Sequence, residues 1–310
     1  MIEQSNKLQL HYFFKGDSHS IDALTRNECE KELLHIFGEI STSLGFNIRI
    51  ESEPSQKGGF KEVWRFLGQN AAQITIIVSV STLFISRFPV QNKELTKLQI
   101  ENLKLDNEIK KRQLQKLNLE FIKEEEVDEQ KITDVVEHLQ SNYKIAWRKS
   151  NFYKKVINYR KVETVSVQRF KETNKVGSER VVERKQFPGF ILKSDELPNL
   201  EVPVATIDII SPALKSGRFR WKGFYENEII NFEMQDSIFK SDVLKGNVHF
   251  SKSFSIEASM IQIRKIDQDG GIKVTNNIVV TVLAIIDNGV RIETEHGKGN
   301  DLRGGSQIFD

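Results

Sequence analysis

The chain is poor in the residues that build disulfide scaffolds and metal centres: its 310 residues include one cysteine, Cys29, and six histidines. A single thiol excludes an internal disulfide and a paired C-x-x-C metal or redox site. Also missing are a G-x-x-x-x-G-K-[ST] phosphate loop, a G-x-S-x-G nucleophile elbow and an H-E-x-x-H zinc helix. None of these familiar ways of holding a phosphate, a nucleophile or a zinc ion therefore predicts catalysis. No catalytic residue, metal ligand or cofactor is assigned from the sequence, and the expectation is a protein that is not an enzyme. The first residues, MIEQSNKLQLHYFFKGD, lack a basic region followed by an apolar core and a small-residue cleavage site. The expectation is that the water-facing parts occupy a reducing compartment.

A net charge of +2 gives no global electrostatic bias, but the charge is unevenly spread. Residues 131–193 carry fifteen cations against six carboxylates, and the rest of the chain offsets them. A local polyanion or headgroup contact is expected there rather than a uniformly basic protein.

What the chain does have is an apolar run. Ala71 to Phe88 (AAQITIIVSVSTLFISRF) carry no charged side chain before Arg87 and no Gly, Pro, Asn or Asp. At about 1.5 Å per residue, roughly 17 residues reach about 26 Å, the short limit for crossing a bilayer. A helix is expected, since strands end after about 5 or 6 residues. The competing reading is a core helix, because Gln73, Ser79, Ser81, Thr82 and Ser86 dilute the run. Just before it, Phe60, Val63, Trp64 and Leu67 fall at i, i+3, i+4 and i+7, which predicts a short interfacial helix. Trp64, Arg65 and Arg87 are then the membrane-interface residues.

From Gln91 to about Gln130 the chain is free of Gly and Pro and dense in Lys, Glu, Gln and Leu. Leu95, Leu98, Asn102, Leu105 and Ile109 follow a three-four spacing. That predicts a coiled-coil stalk over residues 91–130 through which copies self-associate. Residues 131–155 form a basic, aromatic linker helix. Beyond about residue 156 the period changes to two, with turn formers at Tyr225–Glu228 and Asp267–Gly271 between alternating runs, predicting antiparallel hairpins.

The expected fold class is α+β. It comprises a small N-terminal β-α-β unit (1–59), an interfacial helix plus one transmembrane helix (60–90), the stalk (91–130) and the linker helix (131–155). An antiparallel β-rich sandwich or barrel (156–298) and a flexible tail (299–310) follow. Candidate anion-binding residues are Lys149, Lys154 and Lys155 on the linker, and Arg218, Arg220 and Trp221 in the β domain. In both places cations alternate with aromatic rings that can stack on bases, so nucleic acid or anionic lipid is a candidate partner besides the bilayer itself. Asp17, His19 and Asp22 near His11 and His35 could collect a divalent cation, but GDSHSID also suits a loop that caps the next helix.

The predicted function is a single-pass membrane-anchored, self-associating scaffold or sensor in the inner or plasma membrane. Its C-terminal β domain, on the cytoplasmic side, would bind a partner or ligand. Two alternatives compete with it: a membrane-disrupting effector, as in bacterial defence, triggered by ligand binding, and a soluble nucleic-acid-binding protein whose apolar helix is internal.

Overall fold

Alternation in KLQLHYFF produces strand β1 (Lys7–Phe14), with Leu8, Leu10 and Tyr12 buried on one face. The computed structural model describes residues 2–16, 20–53, 60–89, 127–140 and 142–301. The chain divides into two compact units, Met1–Asp195 and Glu196–Asp310.

In the first unit, β1 is followed by α1 (Ala23–Ser43), β2 (Arg49–Glu53), β3 (Phe60–Leu67), α2 (Ala71–Ser86), α3 (Glu129–Gln140) and α4 (Tyr143–Asn158). The unit closes with β4 (Val162–Lys171), β5 (Asn174–Glu183) and a 3-10 turn (Arg184–Phe190). The five strands form one antiparallel sheet in the order β2-β3-β1-β4-β5. The expected β-α-β unit is therefore not closed on itself, because β3 separates β1 from β2. Val162, Val165 and Val167, expected to open the β-rich domain, lie in this first sheet. Helix α1 starts at Asp22, whose carboxylate accepts the Thr25 amide at 2.9 Å and the Thr25 hydroxyl at 3.1 Å. Those bonds hold its carboxyl below the usual range, so Asp22 serves as a cap. Asp17, Ser18 and His19 lie outside the described residues.

The interfacial helix is corrected to strand β3, which pairs with β1 (Leu8 opposite Trp64) and with β2. Glu62, Trp64 and Phe66 share the face that packs on the helices. Because one inward residue is a glutamate and outward Val63 is also covered, the true period of two imitates a helical stripe. Trp64 is fully buried, edge-on to Phe37 with ring centroids 5.5 Å apart. Arg65 bonds Glu53 at 2.8 Å and Glu172 at 3.2 Å. Neither residue borders a bilayer here.

The transmembrane helix is corrected as well. Among the described residues no helix is long and apolar enough to cross a membrane. Helix α2 has 16 residues, about 24 Å of rise against the roughly 30 Å of a hydrocarbon core. Its sides are covered by the unit's own sheet and by α1 and α3, leaving Ile74, Ile76, Ile77, Val78, Val80, Phe84 and Ile85 buried. Each such side chain stabilises the fold by roughly 1.5–3 kcal/mol.

Polar tethers run from α2 in several directions. Thr75 Oγ1 accepts the Ser5 amide at 3.2 Å, Ser79 Oγ accepts from Arg169 at 2.6 Å, and the Ile85 carbonyl accepts the Tyr153 hydroxyl at 2.7 Å. Thr82 and Ser86 turn their hydroxyls back onto Val78 and Thr82 carbonyls. Lipid offers no such partners, so the composition that suggested a bilayer belongs to a protein interior. The membrane anchor, the membrane localisation and the interface role of Trp64, Arg65 and Arg87 are withdrawn with the span. Of the expected coiled coil at 91–130, all but Val127–Gln130 lies outside the described residues; there α3 begins at Glu129.

In the second unit, β6 (Glu196–Ser211), β7 (Trp221–Tyr225) and β8 (Glu228–Met234) precede α5 (Ser237–Leu244). Strands β9 (Ser255–Ile266), β10 (Ile272–Asp287) and β11 (Val290–Glu293) and helix α6 (Glu295–Asp301) follow. Pairing runs β6-β7-β8-β10-β9 and returns from β9 to β6, so five strands close a barrel to which β11 adds on β10. β8 and β10 are parallel, and the other pairs are antiparallel. This closed five-stranded Greek-key order has the connectivity of an oligonucleotide/oligosaccharide-binding (OB) barrel.

Both expected hairpins form. Tyr225 pairs with Glu228 across Glu226 and Asn227, both at positive φ as a primed two-residue turn requires, and Ile266 pairs with Ile272. Gly223 lets β6 and β7 close on the core, since a Cβ there would lie 2.5 Å from Ile207 Cγ2 and 3.2 Å from Phe232. Asp236 caps α5 through the Phe239 amide at 2.9 Å and ties it to β10 through the Val282 amide at 2.9 Å.

Candidate functional site

The two basic, aromatic stretches singled out in the sequence have different structural fates. On α4, the cations are engaged within the first unit. Lys149 is buried, donating to the Phe88 carbonyl at 2.6 Å with its ammonium 5.6 Å from the Phe190 ring centroid. Lys155 lies 3.4 Å from Glu28 and 3.7 Å from Glu32, and Lys154 lies 3.5 Å from Asp195. Arg148 pairs with Glu32 at 3.2 Å, both buried. The rings turn inward: Phe152 and Tyr153 are fully buried, and Trp147 donates its indole N–H to Asp195 at 3.2 Å. The three lysines do not converge on an open surface with free rings.

The second stretch lies on the barrel, in the loop between β6 and β7 and along β7 itself. Alternation along β7 buries Trp221 and Gly223 and turns Lys222 and Phe224 out. Trp221 is fully enclosed among Phe232, Phe239 and Phe250 and anchors the core; it faces no ligand surface. Lys215, Arg218 and Arg220 are exposed in the loop, and with Lys222 they make no ion pair among the described residues.

Beside these cations stand two rings that the sequence reading passed over, Phe219 at 54% and Phe224 at 39% exposure. Phe224 faces Ile229 across the hairpin, and Lys222 faces Asn231. Exposed Ile229, Ile210 and Leu214 extend an apolar strip next to the cations. Asp208 lies opposite Phe224 with its carboxylate accepting the Ser255 hydroxyl at 2.6 Å, and Glu233 follows Asn231 by two residues on β8. The signal that could have found Phe224 was present: if Trp221 points inward, a residue three further on points outward.

A third constellation lies in the first unit, beside a cleft of about 270 Å³ lined by Arg26, Glu30, Glu53, Lys61, Glu62 and Trp64 among others. Glu62 Oε1 accepts from Arg26 Nε at 2.8 Å and Oε2 accepts the Tyr12 hydroxyl at 3.2 Å. Arg26 also bridges to Glu30 at 3.0 Å, which in turn accepts from Ser52 and the Trp64 indole. Burial raises the Glu62 carboxyl to about 7 despite the opposing pull of Arg26. Burial also pushes the nearby Cys29 thiol up to about 12, so the one cysteine is held as an unreactive thiol. With both Glu62 oxygens engaged by side chains of the same unit, this network fastens α1 to the sheet.

No family model, no curated protein and no solved structure matches the chain. The likeness of the second unit to an OB barrel is accordingly one of strand order alone, and function rests on the residues.

Proposed function

We propose that the second unit binds single-stranded nucleic acid across the β6–β7 loop and the outer face of the β7–β8 hairpin. The observation that carries this reading is the juxtaposition of four cations without carboxylate partners and two exposed phenyl rings on one hairpin and its preceding loop. Lys215, Arg218, Arg220 and Lys222 supply phosphate contacts by counterion release. Phe219 and Phe224 supply stacking faces, which unpaired bases can use and a duplex cannot. Asn231, beside Lys222, adds a side-chain amide able to donate and accept at a base edge. In OB barrels the faces of the second and third strands and the first loop carry such ligands, which supports the assignment by analogy. The ligand-binding role expected for the C-terminal β domain thereby takes a definite chemistry.

The test is fluorescence anisotropy of a labelled oligothymidylate and its duplex counterpart with the full chain. Saturable single-strand binding is expected. With four phosphates neutralised, log K should fall with log salt at a slope of about −3, and the duplex should bind more weakly. Absence of saturable binding at about 50 mM salt, or equal affinity for the duplex, would overturn the reading.

A further inference from the structure

The face of the first sheet that packs on the helices carries Val165, Val167 and Val182, and two arginines interrupt it. Val165 lies opposite Val182 and Val167 opposite Arg180, so Arg180 shares their face, and Arg169 follows Val167 by two residues on β4. Both guanidinium groups reach a cleft of about 460 Å³, to which Arg87 at the end of α2 adds a third. Ser79, Thr82, Thr133 and Ser178 line the same cleft, with Ile2, Leu83 and Ile132 as its apolar wall.

Arg169 is held in place by the Ser79 hydroxyl at 2.6 Å and passes close over Gly177, where a Cβ would lie 2.8 Å from Nη2. Gly177 also takes φ +64°, which a glycine adopts without strain. None of the three arginines has an ion pair among the described residues. Two carboxylates stand near: Glu129 lines the cleft, and Glu3 acts on Arg169 through space. Burial and mutual repulsion press on the half-buried pair, lowering Arg169 through Arg180 and Arg180 through Arg87. Three guanidinium groups gathered in a cleft with one lining carboxylate, Glu129, and with no ion pair to any of them among the described residues, make an arrangement that an anion completes.

We infer that this cleft binds a small molecule bearing two or more phosphate groups, held by Arg87, Arg169 and Arg180 with hydroxyl donors from Ser79 and Ser178. Its volume lies within the range of small-ligand sites, roughly 300–1,000 Å³. Among the described residues no aromatic ring lines it, so the phosphates and not a stacked base dominate recognition. The site is separate in sequence from the barrel hairpin and does not depend on the nucleic-acid reading.

The experiment is calorimetric titration of the full chain with pyrophosphate at about 20 mM salt, for the wild type, Arg169→Gln, Arg180→Gln and the exposed control Lys175→Gln. Saturable heat is expected in the wild type and the control, and affinity should fall at least about tenfold in each arginine variant. Thermal unfolding separates a binding role from a structural one. Without ligand, Arg180→Gln should keep or raise the midpoint because it relieves repulsion, while losing the rise that pyrophosphate gives the wild type. No saturable heat, or unchanged heat in both arginine variants, would overturn the assignment, as would a lowered midpoint for Arg180→Gln with pyrophosphate binding intact. A 5′-phosphorylated oligonucleotide that displaces pyrophosphate would overturn the small-molecule assignment in favour of a polymer phosphate.

Discussion

Helix α4 and the loop that leads into β7 read alike as sequence, both mixing cations with aromatic rings, yet they present opposite arrangements of charge. On α4 the rings fill the core, and Arg148, Lys154 and Lys155 each lie beside a carboxylate. On the barrel, Trp221 alone goes inside, while Phe219 and Phe224 stay exposed beside four cations without such partners. The difference teaches that a basic, aromatic run is a binding surface only where the fold leaves both its charges and its rings unused. The same contrast recurs inside the first unit. Glu62 interrupts the apolar face of the sheet and is answered by Arg26 and Tyr12, whereas Arg169 and Arg180 interrupt that same face with no ion pair among the described residues.

The comparison breaks most visibly at Arg148. Replacing it with alanine strands the buried Glu32 carboxylate and should cost about 3–5 kcal/mol by chemical denaturation, less to the extent that Lys155 compensates, with oligonucleotide affinity unchanged. Glu62 gives a pH signature. Its carboxyl titrates near 7 in the folded chain against the ordinary 4.5 when unfolded, so the protonated form favours folding. Its contribution is fully present below about pH 4.5 and lost as pH rises through about 7, on the order of 3 kcal/mol. Glu62→Gln should flatten that part of the stability profile between pH 5 and 8.

Removing a stacking ring is a smaller change. Phe219→Ala and Phe224→Ala should each weaken single-strand binding by about 1–2 kcal/mol, roughly 5- to 30-fold, with little change in the thermal midpoint since both rings are exposed. Lys154→Ala marks the lower limit. Its contact with Asp195 is a partly exposed ion pair, so stability should move by less than about 0.5 kcal/mol and oligonucleotide affinity not at all.

Periodicity made the local elements legible where one face is purely apolar. Cys29, Leu33, Ile36, Phe37 and Ile40 of α1 are all buried as their spacing requires, and the Glu226–Asn227 turn falls where the polar pair interrupts the alternation. Strand β3 was hidden because Glu62 points inward, a choice explained by Arg26 some 36 residues earlier in the chain. For α2, hydropathy reported that the helix is covered without saying by what. The deciding tethers, Ser5 to Thr75 and Arg169 to Ser79, join residues 70 and 90 positions apart. Barrel closure depends on β8 running parallel to β10, a pairing that no local pattern encodes. At the candidate site the cations were visible in the sequence. Their distinction from those of α4 was not, since it lies in which carboxylates the fold brings near.

The most direct test exchanges the two basic, aromatic stretches as targets of charge reversal, measuring oligothymidylate affinity for Arg218→Glu/Arg220→Glu and for Lys154→Glu/Lys155→Glu in the full chain. The barrel pair should lose about 100-fold at 50 mM salt and the helix pair less than about twofold. Equal losses, or a loss confined to the α4 pair, would contradict the account.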